Sequence, residues 1–177
     1  VAHMGFVTLG IFSANGIGIQ GAVLQMISHG VISAGLFLVV GVIYERFHTR
    51  EIEFYGGLKT IMPKFSNVFF LLVLGSIAVP GTSGFSGEFL VLKGIFDVNP
   101  MFAILPASSM VLGACYMLLV YKRTTLGALN KNILQYEFSD LDKREFGIFI
   151  PLLLVMLLLG IYPELLLNLV QGISDAA

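Results

Sequence analysis

The apolar positions of this 177-residue chain fall into long uninterrupted runs. A helix needs about 20 apolar residues to cross a bilayer core roughly 30 Å thick. Three runs are close to that length, at residues 21–44, 100–121 and 147–167. The pattern therefore predicts one membrane span in each of them.

The run at residues 65–96 is too long for one straight span, because a helix of that length would measure about 48 Å. It contains VPGTSGFSGE at 79–88, in which a proline and three glycines disfavour helix. We expect a helix broken near residues 80–84. The first run, 1–14, would reach only about 21 Å and is expected to be a partial helix, the end of a truncated one.

Composition supports a membrane protein, because 56% of the residues are hydrophobic and 12% are charged. Typical globular domains have about 45–50% and about 25%. The chain is therefore expected to be an all-α, polytopic transmembrane helix bundle in a lipid bilayer, with residues 1–177 forming a single transmembrane region. A net charge of −1 gives no indication of nucleic acid binding. One cysteine and three unclustered histidines argue against a disulfide, a metal site or a redox centre on this chain.

The cations predict the orientation in the membrane. Nine of the ten Lys and Arg residues lie in the loops 45–64 and 122–145, and none lies in 97–99. By the positive-inside rule, the two cation-rich loops are expected on the cytoplasmic or matrix side and 97–99 on the other side.

Ionisable groups at membrane depth are costly and commonly mark ion or proton routes. His29 lies in the middle third of its predicted span, and Gln25, His29 and Ser33 recur at the spacing of one helix face. This stripe favours a protein- or water-facing surface with a proton-transfer histidine. The alternative is a hydrogen bond that only joins two helices.

Glu88 directly follows the glycine-rich break, and transporters place ion sites at such discontinuous helices. The alternative is an interfacial glutamate exposed to lipid headgroups. His3 is either a packed histidine or a relay member. Lys93 is more simply explained as a side chain that extends to the nearby interface than as a functional residue.

Four motifs carry a family resemblance: VAHMGF at 1–6, QMISHG at 25–30, HTR at 48–50 and PGTSGFSGEF at 80–89. In order and spacing they resemble the antiporter-like subunit M (chain 4) family of NADH:quinone oxidoreductase, respiratory complex I. The likeness covers the whole chain but only the C-terminal part of the family's fourteen-helix subunit.

The resemblance implies the C-terminal part of an antiporter-like inverted-repeat fold, with 65–96 as its second broken helix. It implies a proton pathway through His3, His29 and Glu88, in which Glu88 is the terminal carboxylate of a half-channel that opens to the non-cytoplasmic side. It implies no cofactor on this chain, with FMN, iron–sulfur clusters and quinone on other subunits. The implied partners are other membrane-arm subunits, including a chain that supplies the missing N-terminal helices.

The function expected from these observations is that of a proton-translocating membrane-arm subunit of an NADH:quinone oxidoreductase. One alternative is a subunit of a multi-subunit cation/proton antiporter, which shares the fold. Another is a purely structural membrane subunit. The expected location is an energy-transducing inner membrane. The mitochondrial inner membrane is favoured over the bacterial plasma membrane, because a subunit in pieces is more plausible there.

Overall fold

The structure of the protein, a computed structural model, describes residues 1–131, 133, 136 and 139–174, with side chains described to residue 170. This part of the chain is helical and contains no strand. Its α-helices are α1 (Ala2–Phe12), α2 (Gly16–Phe47), α3 (Leu58–Ile61), α4 (Pro63–Ser76), α5 (Ser83–Val98), α6 (Pro100–Thr125), α7 (Lys143–Ile161) and α8 (Glu164–Ser174).

Three of these helices, α2, α6 and α7, are long and apolar enough to cross a membrane. Each of the three begins at a side-chain cap. The Asn15 side chain accepts a hydrogen bond from the Gly18 amide at 2.8 Å, and this cap starts α2 five residues before the predicted boundary at 21. Asn99 caps α6 in the same way, through the Met101 amide at 2.9 Å. Caps of this kind satisfy amides that have no partner inside the helix.

The predicted interruption of the 65–96 helix is confirmed. Helix α4 ends at Ser76 and α5 begins at Ser83, so the break starts a few residues earlier than the predicted 80–84. Two residues inside it have left-handed backbone conformations, Ala78 with φ 55° and Gly81 with φ 94°. Glycine adopts this conformation at little cost, whereas alanine is strained in it.

The segment predicted as one span at 147–167 is two helices in the structure. Helix α7 begins earlier, at Lys143, because Asp142 and Glu145 form a reciprocal capping box. It ends at Ile161, since Tyr162 precedes a proline and the residue before proline is disfavoured in helical conformation. Helix α8 then packs against α2.

Helix α1, predicted as a partial helix, packs against α2 and α5 within this chain. It buries Phe6 and Val7. Gly10 allows the close approach, because a Cβ there would lie 2.9 Å from the Ala22 Cβ. The opposite side of α1 is apolar and exposed, including Phe12 at 82%. The resemblance implies a chain that supplies further N-terminal helices, and a contact between α1 and that chain stays a prediction.

The cation-rich end of the bundle is held by a group of charged residues that we call the clamp: Arg46, Asp140, Asp142 and Glu145. Arg46 donates to the Ser139 carbonyl at 2.9 Å and to Glu145 Oε2 at 2.8 Å. The clamp therefore joins the end of α2 to the start of α7.

Asp140 extends the clamp to a third helix. Its carboxylate accepts hydrogen bonds from the Lys64 amide at 2.9 Å and the Phe65 amide at 3.1 Å, at the start of α4. Nearby, burial raises the pKa of Tyr55 to about 12, and its hydroxyl donates to the Thr49 carbonyl at 2.6 Å. The two cation-rich loops are also joined to each other, because the Gly57 amide donates a hydrogen bond to the Leu126 carbonyl at 3.2 Å.

Candidate functional site

Glu88 lies in the second turn of α5, just after the helix break, and is 3% exposed. The alternative interpretation of Glu88, an interfacial glutamate exposed to lipid headgroups, is therefore wrong. Unpaired charges are very costly in such a place, so the surrounding groups decide what the carboxyl group can do. We call the residues that surround it, together with Glu88 itself, the Glu88 cluster: His3, Gln25, His29 and Glu88.

Two side chains from other helices reach the Glu88 carboxyl group. The Gln25 amide of α2 donates to Glu88 Oε1 at 3.3 Å. His3 Nε2 of α1 lies 3.7 Å from the same oxygen and 3.0 Å from the Ser76 carbonyl oxygen at the end of α4. The carboxyl group of α5 is thus contacted from two other helices, beside the break.

The structure brings the three predicted proton-path residues into one cluster. The imidazole rings of His3 and His29 are 5.4 Å apart between centroids and inclined by 60°. His3 is therefore a neighbour of both His29 and Glu88. Lys93 stands apart from them, since its ammonium forms an ion pair with Asp97 at 2.5 Å on an exposed surface.

Glycines allow α2 and α5 to approach closely enough for this contact. A Cβ at Gly87 would lie 2.9 Å from the Gln25 Cα, and one at Gly94 would lie 2.7 Å from the Gly18 Cα. Real Cβ atoms do not come this close to backbone, so a side chain at either position would push the helices apart. The glycine at position 87 therefore sets the distance between Gln25 and Glu88.

Two small cavities adjoin Glu88, each about 10 Å³ in volume. Roughly 10–15 Å³ is enough for one water. The first cavity is lined by His3, Gln25, His29 and Glu88, with residues of α4 and α5 around them. Within the described part of the chain, Gln25 Oε1 is buried and has no hydrogen-bond partner. A water in this cavity could complete its hydrogen bonding.

The second cavity lies on the α6 side of Glu88. It is bounded by His3 and Glu88 on one side and by Ser109, Gly113 and Tyr116 on the other. Carboxyl, imidazole and water are groups that can both accept and release a proton, so the arrangement can move protons. Among the described residues, no three His, Cys, Asp or Glu side chains converge as metal ligands would.

Gln25 and Ser28 belong to the site although the sequence did not mark them as site residues. Ser28 Oγ donates to the Ser83 carbonyl at 2.9 Å and so ties α2 to the first residue of α5. Gln25 could have been recognised from the sequence, because it shares one helix face with His29. Gln25 does form a hydrogen bond between helices, and its acceptor is Glu88.

An interrupted membrane helix with a buried carboxyl group beside the interruption is typical of ion-translocating membrane proteins. The comparison with known families narrows this class. The chain belongs to the NADH:quinone oxidoreductase/Mrp antiporter transmembrane family, whose pattern matches residues 1–113.

The predicted resemblance is confirmed by individual relatives. The chain is 51% identical over 170 residues to NADH-quinone oxidoreductase subunit M of Rhodobacter capsulatus. This alignment covers 96% of this chain and 33% of that protein. It is 49% identical over 168 residues to NADH-ubiquinone oxidoreductase chain 4 of Triticum aestivum, with 95% and 34% covered. The chain thus spans about one third of the length of the curated relatives it matches.

Solved structures confirm the predicted fold class. Respiratory complex I from Thermus thermophilus with bound NADH matches with a TM-score of 0.88 and 33% identity, over 98% of this chain and 37% of that chain. The Mrp complex from Dietzia sp. DQ12-45-1b matches with a TM-score of 0.79 and 20% identity, over 94% and 39%. The second likeness shows a shared fold. Because bacterial and plant relatives are nearly equally similar, the comparisons do not support the predicted mitochondrial preference.

Proposed function

We propose that this chain is the C-terminal, proton-carrying part of a complex I antiporter-like membrane subunit. In this function, quinone reduction elsewhere in the complex drives proton transfer through the Glu88 cluster. The observation that carries the proposal is the burial of Glu88 beside the helix break, with His3 at 3.7 Å. The names of the relatives that are 51% and 49% identical give the reaction.

The roles of the residues follow from their distances. Glu88 is the exchange site, which gains and loses one proton. His3 is the neighbour that passes the proton, and a proton on its imidazole stabilises the carboxylate form of Glu88 across 3.7 Å. His29 extends the route, because its ring lies 5.4 Å from that of His3 and both line the first cavity.

The remaining expectations are part of the same proposal. FMN, iron–sulfur clusters and quinone belong to other subunits of the complex. The partners are other membrane-arm subunits and the lipid bilayer. The location is an energy-transducing membrane, either bacterial or mitochondrial, since relatives of both kinds of host are similar.

A cation/proton antiporter subunit is the second candidate. The family description includes Mrp antiporters, and the Dietzia Mrp complex has the same fold. The similarity to that complex is 20% identity, well below the 51% identity to subunit M of Rhodobacter capsulatus. The complex I function is therefore the better supported of the two.

The experiment replaces Glu88 by Gln in the assembled complex. Glutamine has nearly the same size and can form hydrogen bonds, but it cannot titrate. We expect Glu88→Gln to assemble normally and to lower quinone reductase turnover and coupled proton pumping on the order of 10²-fold, the low end of what a positioned proton-transfer group contributes. Both activities are measured in membrane vesicles.

Two controls make this result specific. Glu88→Asp keeps the carboxyl group one methylene shorter and is expected to retain more activity. NADH oxidation with an artificial acceptor, which bypasses the membrane arm, is expected to be unchanged. Pumping by Glu88→Gln at the wild-type rate would contradict the proton-path assignment. Joint loss of assembly and acceptor activity would show that Glu88 is structural.

A further inference from the structure

A groove with both apolar and charged walls lies at the cation-rich end of the bundle, away from the Glu88 cluster. It runs between the last turns of α2 and the first turns of α7 and has a volume of about 340 Å³. We call it the α2–α7 groove, and its walls include Leu38, Val42 and Glu45 of α2 and Arg144 and Ile148 of α7. Its volume is within the range of about 300–1,000 Å³ that is usual for ligand sites.

The walls of this groove change from apolar to charged along its length. On α2, Glu45 lies seven residues after Leu38, which places the two on one helix face about 10 Å apart along the axis. On α7, Arg144 lies about one turn before Ile148. Because α2 ends and α7 begins at the cation-rich loops, the charged residues lie at the loop end and the apolar ones lie deeper in the bundle. Tyr44, next to Glu45, is a residue type enriched at membrane–water interfaces.

Two opposite charges in the groove are not used to hold the fold together. Within the described part of the chain, the side chains of Glu45 and Arg144 are exposed and form no hydrogen bond or ion pair. Glu145, in contrast, is bound by Arg46 at 2.8 Å. The helix ends add partial charges of the same sense, negative at the end of α2 and positive at the start of α7. The α2 wall therefore favours a cation and the α7 wall favours an anion.

We propose that the α2–α7 groove binds one phospholipid whose headgroup carries a primary ammonium, a phosphatidylethanolamine. Glu45 accepts hydrogen bonds from the ammonium, and Arg144 donates to the phosphate. One acyl chain lies along Leu38 and Ile148, the apolar part of the walls. This binding site is separate from the Glu88 cluster, so the inference goes beyond the proposed function and does not depend on it.

The charges of the groove favour this lipid over other phospholipids. A cation-rich membrane surface generally attracts anionic lipids. The groove itself, however, is lined by three carboxylates, Glu45, Asp142 and Glu145, and by one cation, Arg144. An anionic phosphatidylglycerol would therefore bring a phosphate without a cation for Glu45. A choline headgroup has the cation but no N–H, whereas a primary ammonium has three donors.

The same charges argue against a protein helix as the occupant. A transmembrane helix is about 10–12 Å in diameter and would cover both walls of the groove. An apolar helix surface would then bury Glu45 and Arg144 without partners, which is costly for any charged group. A lipid headgroup instead supplies one partner to each of them.

Photochemical labelling of the assembled complex tests the site directly. The purified complex is depleted of lipid and supplied with phosphatidylethanolamine that carries a diazirine on one acyl chain, and the labelled peptides are identified by mass spectrometry. We expect label on α2 near Leu38 and on α7 near Ile148. Unlabelled phosphatidylethanolamine is expected to compete about fivefold better than phosphatidylcholine or phosphatidylglycerol. This factor corresponds to about 1 kcal/mol, the upper end for an exposed ion pair.

Substitutions at Glu45 test the role of its charge. Glu45→Gln keeps the size of the side chain and is expected to lower labelling by phosphatidylethanolamine about fivefold, to the level of phosphatidylcholine. Glu45→Lys is expected to reverse the preference, so that phosphatidylglycerol competes best. A lysine is also favourable near the end of a helix, so α2 should be preserved. Glu51→Gln is the matched control, because Glu51 is an exposed carboxylate of the same loop outside the groove.

A substitution at Arg144 tests the phosphate contact. Arg144→Gln is expected to lower labelling by all three phospholipids, since each of them carries the phosphate. Arg123→Gln, at an exposed arginine in the other cation-rich loop and outside the groove, is expected to leave labelling unchanged.

Three results would overturn the proposal. One is equal or stronger competition by phosphatidylglycerol in the unchanged complex. Another is labelling of Glu45→Gln at the level of the unchanged complex. The third is label on other subunits but not on α2 or α7, which would show that a protein chain covers the groove. Should Glu45→Lys not assemble, the result with Glu45→Gln decides.

Discussion

The clamp and the Glu88 cluster are both groups of charged and polar residues, but they differ in how completely their hydrogen bonds are made. In the clamp, Arg46 reaches Glu145 at 2.8 Å, and Asp140 accepts two backbone amides at 2.9 and 3.1 Å. In the Glu88 cluster, the contacts to the carboxyl group are 3.3 and 3.7 Å, and Gln25 Oε1 has no partner among the described residues.

This difference indicates that the clamp stabilises the fold, whereas the Glu88 cluster is suited to proton transfer. A carboxylate with short, complete hydrogen bonds is fixed in one state, as charge-assisted bonds are the strong ones. A buried carboxyl group with long contacts and room for water on two sides can exchange its proton with neighbours. The clamp is therefore expected to control stability, and the Glu88 cluster is expected to control turnover.

Removal of Arg46 is the strongest test of the expectation that the clamp controls stability. Arg46→Ala would remove the hydrogen bonds to Glu145 and to the Ser139 carbonyl, while Glu145 keeps the one from the Asp142 amide. Hydrogen bonds to charged groups contribute about 1.5–3 kcal/mol each. We expect a large drop in the thermal midpoint of the complex, with normal turnover in the fraction that stays assembled. Arg50→Ala is the control, because Arg50 is exposed and stacks on Tyr44 at 4.8 Å. Equal loss in both variants would contradict the comparison.

Removal of the Gln25 amide tests the expectation that the Glu88 cluster controls turnover. Gln25→Leu keeps the volume but takes away the amide that donates to Glu88 at 3.3 Å. We expect turnover to fall roughly tenfold, the effect of about 1.4 kcal/mol on a barrier, while thermal stability changes little. Ser33→Ala, on the same helix stripe, is expected to have no effect, since the Ser33 hydroxyl donates to the Gly30 carbonyl of its own helix, at 3.4 Å. A loss of stability without a loss of turnover would place Gln25 with the clamp.

The smallest effect is expected at Lys93, which belongs to neither region. Its ion pair with Asp97 is exposed and joins positions i and i+4 of one helix. Such pairs contribute about 0.3–0.5 kcal/mol. Lys93→Gln is therefore expected to leave pumping unchanged and the thermal midpoint almost unchanged. A clear pumping defect in this variant would extend the proton route beyond the Glu88 cluster.

Much of the fold could be predicted from the sequence. The break in 65–96 was predictable because proline and glycine act locally on the backbone. The end of α7 was not predicted correctly, although Pro163 stands just after it. The apolar run resumes after Tyr162 and Pro163 in α8, so its length did not show that one helix ends and another begins there.

The site divides in the same way. His29 and Glu88 stand out in the sequence because a titratable group in an apolar run is costly wherever the chain folds. His3 was assigned to the proton pathway by the family resemblance, because its position at residue 3 does not indicate how deep in the membrane it lies. Gln25 as the partner of Glu88 could not be predicted, because the two residues are 63 positions apart.

Local sequence was therefore enough to identify the segments that are apolar enough for the membrane, the break in one helix and the ionisable residues that lie among them. These properties depend on the composition of neighbouring residues. The packing of the helices, by contrast, is what brings His3, Gln25 and Glu88 together and places α6 on a second side of the carboxyl group. Those contacts depend on how closely the helices pack, which glycines such as Gly10 and Gly87 allow by leaving no side chain between them.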